Sequence, residues 1–175
     1  MPSLRPPSSP VPGTAFAPRR VRLRAPVAAV LADRLDDVSV VDAAVRLAAA
    51  RGAPLLLIAV LPPLPPRTAA SRPDGAAARA VLGRAMPRVA RAGIPHRPAV
   101  CHRPAGRDGR LGAAKGLLGV AVAHGCPVLV VSRSGPPGLD ACTVMEAAAI
   151  RGGPLVHAAS PVPWAPLTAP CRPPA

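Results

Sequence analysis

The segment Leu55–Leu61 reads Leu-Leu-Leu-Ile-Ala-Val-Leu, with no polar position, and Pro54 and Pro62-Pro63 bound it. A half-exposed strand alternates apolar and polar side chains; a run without alternation has both faces covered. Seven residues fall far short of the ~20 a helix needs to cross a bilayer. The proline flanks also stop a helix from extending in either direction. The run is therefore expected to be a fully buried strand, and the rest of the chain has to supply two layers to cover it.

Other segments fall into an alternating order around it. Val27–Ala32 is a short apolar run ending at Asp33, expected as a strand. Val40–Arg51 places Val41, Ala44, Val45 and Ala48 at helical spacing and stops at Gly52. Gly75–Arg91 has the same period, with Pro87 inside it to kink or split the helix and Gly93 to end it. Pro95–Cys101 is expected as a strand, and Pro95 and Pro98 assign it to an edge. Leu111–His124 reads as a helix, weakened at Gly112, Gly116 and Gly119 by up to ~1 kcal/mol each relative to Ala. Pro127–Val131 is a strand, Ser132–Gly138 a loop, Asp140–Arg151 a helix and Pro154–Ala158 a last strand. The order βαβαβαβαβ predicts an α/β domain: a doubly wound five-stranded parallel sheet, Rossmann-like. Ligands of such sheets bind beyond the carboxyl ends of the strands, where the strand order reverses. Asp33 and the Ser132–Gly138 loop both belong to that edge.

The chain has 175 residues, enough for one ordinary domain, and half of them are hydrophobic, enough for a core. Residues 1–20 are rich in Pro and Arg without apolar period and are expected as a flexible arm. Residues 21–159 form the domain, and 160–175 a Pro-rich tail that Trp164 would pin to it. Aromatic side chains are confined to Phe16 and Trp164, which excludes single-strand nucleic-acid modules built on stacking faces.

The net charge of +14 is almost wholly arginine, Lys115 being the one lysine. Its scatter along the chain reads as compositional bias. The local cluster Arg19, Arg20, Arg22 and Arg24 leaves a nucleic-acid-binding arm as an alternative. Acids gather instead at Asp33, Asp36, Asp37 and Asp42. Asp36 and Asp37 are expected to supply negative charge at a helix N-terminus.

Cys101, Cys126, Cys142 and Cys171 are dispersed, as are His96, His102, His124 and His157, and no zinc spacing arises. The thiols are expected to be buried and reduced, with Cys142 the one near a helix N-terminus. His124 is expected to close a helix and His157 to sit in or beside the last strand. The apolar stretch after Arg19-Arg20 is cut off at Asp33, too short and too proline-bounded for an export signal. A cytoplasmic protein with no metal, no membrane span and no catalytic constellation is expected.

At this level the residues resemble the universal stress protein family. Ala29-Val30-Leu31-Ala32-Asp33 resembles that family's first strand and terminal Asp. Ala43–Gly52 followed by Ala53–Pro63 is similar to its first helix and second strand, Val128–Leu139 to its fourth strand and glycine loop, and Pro154-Leu155-Val156 to its closing strand. The resemblance spans residues 20–160 and rests on order and spacing. It implies a five-stranded parallel α/β sandwich, a homodimer formed through the last strand, and membership of either an ATP-binding or a non-binding branch.

The ATP-binding branch carries G-x2-G-x9-G-[ST] after the fourth strand, where glycines admit phosphates to backbone N–H groups at a helix N-terminus. Carried onto this chain, the first glycine falls on Ser132, the second on Gly135, the third on Met145, and the hydroxyl position on Glu146. A gapped alternative places Gly138 and Thr143 at the phosphates. The resemblance thus implies a degenerate nucleotide site made of Asp33, the backbone near Val60, Ser132, Gly135 and Gly138. Asp33 reads equally as a carboxylate that caps the next turn. The expected function is a regulatory or binding domain with no cofactor and an unknown protein partner. An adenine-nucleotide-binding member is the alternative, with ATP as its ligand.

Overall fold

The computed structural model describes residues 24–64, 75–106 and 110–160. The arm expected over 1–20 and the tail after Ser160, with Trp164 and Cys171, lie outside them. Strands β1 (Val27–Leu31), β2 (Leu55–Leu61), β3 (His96–His102), β4 (Val128–Ser132) and β5 (Leu155–Ala159) alternate with helices α1 (Asp37–Arg51), α2 (Ala76–Gly83), α3 (Met86–Ala92), α4 (Gly112–Ala123) and α5 (Ala141–Arg151). The strands form one sheet in the order β3-β2-β1-β4-β5, and every pairing is parallel.

The apolar run that opened the sequence is β2, and all of it is buried. Its odd and even positions go to opposite faces. Leu55, Leu57, Ala59 and Leu61 join Val27, Ala29 and Leu31 of β1 under α1, α2 and α3. Leu56, Ile58 and Val60 join Ala28, Val30, Leu129 and Val131 under α4 and α5. One continuous apolar run thus serves two cores. Truncation of a fully buried member such as Leu57 or Ile58 to Ala would cost about 2–5 kcal/mol.

Element boundaries move by a few residues from the expected ones. Helix α1 begins at Asp37 rather than Val40, because the Asp37 carboxylate turns back onto the loop before it. Pro87 splits the expected helix over Gly75–Arg91 into α2 and α3 and lies in the first turn of α3, where a missing N–H leaves no helical bond unmade. Strand β3 is an edge, as its prolines require, yet it pairs with β2 along its full length, with Pro98 opposite Leu57. Ser132 is the last residue of β4, paired with Ala159, and is not part of the loop. Among the described residues no helix is long and apolar enough to cross a membrane.

Candidate functional site at the carboxyl edge

In the order β3-β2-β1-β4-β5 the strands β1 and β4 are neighbours whose following helices cover opposite faces. The connections β1–α1 and β4–α5 therefore diverge and leave a crevice between them, the position where open α/β sheets bind ligands.

The β1–α1 connection is organised by Asp37. Its buried carboxylate accepts the N–H of Ala32 at 3.1 and 3.2 Å and that of Arg34 at 3.1 Å. Burial pushes the Asp37 carboxyl above its ordinary value, against the opposing pull of these N–H groups. Within the loop so held, Asp33 adopts a left-handed backbone at φ 57°, an uncommon state for a residue with a side chain. Asp33 is exposed and meets Arg84 at 3.3 Å, both side chains more than half exposed, so the pair adds little stability. The capping alternative for Asp33 is thus filled by Asp37 instead. Asp36 stands at the N-terminus of α1 as expected, without a side-chain cap bond, and its carboxylate accepts the Ser132 hydroxyl at 3.3 Å, across the crevice.

On the other side, Ser132 Oγ also accepts the N–H of Ser134 at 3.2 Å. A Cβ on Gly135 would stand 2.5 Å from the Leu139 carbonyl oxygen, so this glycine admits its own loop backbone. That backbone closes with a Leu139 N–H bond to the Pro136 carbonyl at 2.8 Å. Gly138 has φ 79° and lies against the Arg110 carbonyl. Both glycines therefore have a geometric reason within the chain.

The N-terminus of α5 is closed by Asp140. Its carboxylate accepts the Thr143 N–H at 3.0 Å and the Thr143 hydroxyl at 2.7 Å. These two bonds hold the Asp140 carboxyl below its ordinary range, with the nearby Arg110 charge adding to the effect. Thr143, which the gapped alignment offered to phosphate, has its proton on Asp140. Met145 and Glu146 lie beyond the first turn of α5, and Glu146 is ion-paired with Arg110. Met145, onto which the family spacing carries the third glycine, thus lies within the body of α5. Val60 is buried in the core beneath α4 and α5, so only its backbone faces the edge.

The structure thus places Asp33, Gly135 and Gly138 on the two connections that flank the crevice, and Ser132 at the end of β4 where one of them begins. Asp140 went unrecognised as a cap in the sequence, although an Asp immediately before an apolar-periodic segment is a helix-start signal. The Ser132–Asp36 contact joins residues with no local sequence relation, and no signal announces it. Cys101 and Cys126 are buried, and burial pushes the Cys126 thiol up to about 11, whereas Cys142 is exposed, against expectation. Its place in the opening turn of α5 turns it outward. His124 follows α4 as its cap residue, and His157 lies on the exposed side of β5. Among the described residues no group of His, Cys, Asp or Glu is placed to hold a metal ion.

No protein-family profile matches the sequence, and no curated protein matches it. Solved structures do. A protein of the universal stress protein family from Burkholderia pseudomallei is 20% identical with a TM-score of 0.53, over 77% of this chain and 94% of its own. A universal stress protein from Archaeoglobus fulgidus is 14% identical with a TM-score of 0.55, over 78% and 93%. A universal stress protein solved in complex with cAMP is 21% identical with a TM-score of 0.52, over 77% and 97%. Five parallel strands in this order, covered on both faces, give the chain the universal stress protein fold.

Proposed function

We propose that the chain is a universal-stress-protein-like regulatory and binding domain of the cytoplasm that does not hold ATP through its phosphates. The reading is carried by Asp140. A phosphate at a helix N-terminus needs free N–H donors and a positive potential. At α5 a carboxylate already accepts the Thr143 N–H and hydroxyl and brings its own negative charge. A phosphate charge within ~4 Å of it would meet a repulsion of about 4 kcal/mol at an effective dielectric constant of 20. The packing of Gly135 against Leu139 supports the same reading, because backbone fills the space a phosphate would take.

Homodimerisation through β5 belongs to this proposal. Strand β5 is an edge of the sheet, and Leu155 on it is 67% exposed. The second reading is an adenine nucleotide with less phosphate charge, which the neighbour solved with cAMP favours. The test is calorimetric titration of the purified chain with Mg-ATP and, separately, with cAMP. Absence of saturable heat at millimolar Mg-ATP is the expected result. Micromolar binding of Mg-ATP would overturn the proposal, and saturation by cAMP alone would establish the second reading.

A further inference from the structure

We infer that the amino edge of the sheet, opposite the crevice, carries a site for a phosphate-type oxyanion between Arg24, Arg97 and His124. These three side chains come from separate parts of the fold: the residues before β1, the second position of β3, and the end of α4. They line one cavity of about 140 Å³ whose remaining wall is largely apolar, including Pro26, Pro54 and Leu55.

Three observations point to an anion. No carboxylate lines the cavity. Among the described residues, the ion pairs Arg34–Asp36, Arg84–Asp33, Arg88–Asp42 and Arg110–Glu146 all lie elsewhere, and none involves Arg24, Arg97 or His124. The acids among the described residues also gather away from this edge. Asp33, Asp36, Asp37, Asp42, Asp140 and Glu146 all lie on the connections leaving β1 and β4 or no farther into α1 and α5 than Asp42 and Glu146, whereas α1 and α5 end on Arg51 and Arg151. No acidic side chain among the described residues therefore offsets the arginines of this edge; only the partial negative charge of the helix C-termini stands against them, and an apolar wall focuses the field.

The cavity selects the ligand's chemistry. Its backbone offers few donors: Pro26 and Pro54 have none, and the Leu55 N–H is bonded to the Pro95 carbonyl at 2.9 Å. Recognition falls to the side chains. Arg24 is held in place by a bond from its Nη1 to the Arg51 carbonyl at 2.8 Å, which orders one guanidinium before any ligand arrives. Two guanidinium forks and an imidazole surround a tetrahedral oxyanion better than a planar carboxylate, and guanidinium forks match phosphate oxygens in pairs. The volume is below the ~300 Å³ at which pockets enclose a drug-sized ligand. It fits free phosphate or the phosphate end of a larger molecule.

The test is titration of the full chain with inorganic phosphate, and in parallel with glycerol phosphate, at constant ionic strength. The His124 ring resonances, assigned with His124→Asn, report the site. Saturable shifts that Arg97→Ala weakens at least tenfold, and the exposed Arg46→Ala leaves unchanged, are expected. Tighter binding of glycerol phosphate would identify the end of a larger molecule as the ligand, and equal binding the free anion. Shifts that do not saturate, or that both variants weaken alike, would overturn the inference. So would binding of duplex DNA at this edge that inorganic phosphate does not compete.

Discussion

Ser132 and Asp36 stand 96 positions apart, and the serine hydroxyl donates to the aspartate carboxylate at 3.3 Å across the point where strand order reverses. The contact ties the end of β4 to the start of α1, which otherwise belong to connections that diverge. Ser132 is buried, so its hydroxyl has no water to fall back on. Ser132→Ala is expected to lower unfolding stability by about 1–2 kcal/mol in urea. A double-mutant cycle with Asp36→Ala should show a coupling above about 0.5 kcal/mol. Strict additivity would mean that the two side chains do not hold the crevice together.

The cap at α5 has its own pH signature. Asp140→Ala is expected to cost about 1 kcal/mol at neutral pH, the usual value of an N-cap carboxylate. The Asp140 carboxyl is lowered from 3.8 by its bonds to Thr143. Its contribution is therefore present above pH 3.8 and is lost as pH falls through the folded-state value. Unfolding curves of the two proteins should converge in strong acid. A constant gap would show that the ionised carboxylate is not what closes the helix.

Asp37 should behave in the opposite sense. Burial raises its carboxyl above 3.8, so its linkage contribution is full below that pH and fades as pH rises through the raised value. The gap between the parent and Asp37→Ala is expected to be widest in acid and to narrow toward neutrality. A residual cost of about 1–3 kcal/mol should remain there, because the Ala32 and Arg34 amides lose their acceptor. If both aspartate variants gave the same slope with pH, the contrast between a buried carboxylate and a capping one would be wrong.

Much of this fold is legible in the sequence because burial on two faces leaves a mark that needs no partner to be read. The unbroken run of β2 can exist only between two layers, and Pro87 and Pro98 act through local geometry. The candidate site is less legible. Its position at the ends of β1 and β4 follows from element order, but its chemistry depends on contacts between distant residues. Counting a fixed spacing from Ser132 leads to Met145 and Glu146, inside α5, because a count takes no account of where the helix starts. The cationic cavity draws Arg24, Arg97 and His124 from three elements, and their separation in sequence hides it.

Gly135 separates two reasons for a glycine in this loop. If it were present only to let phosphates approach, an alanine there would be silent in the ligand-free protein. The structure gives it another reason: a Cβ would lie 2.5 Å from the Leu139 carbonyl oxygen and 3.0 Å from the Asp140 nitrogen. Both contacts are backbone, so no flexible side chain can move aside, and the turn between Pro136 and Leu139 must open. Gly135→Ala is expected to destabilise the ligand-free chain by about 1–3 kcal/mol, the range for overpacking at a closed site. The strain should reach the α5 cap, so hydrogen exchange of the Thr143 amide should accelerate in the same variant. An unchanged unfolding midpoint with unchanged Thr143 exchange would return Gly135 to the role of a phosphate-approach glycine.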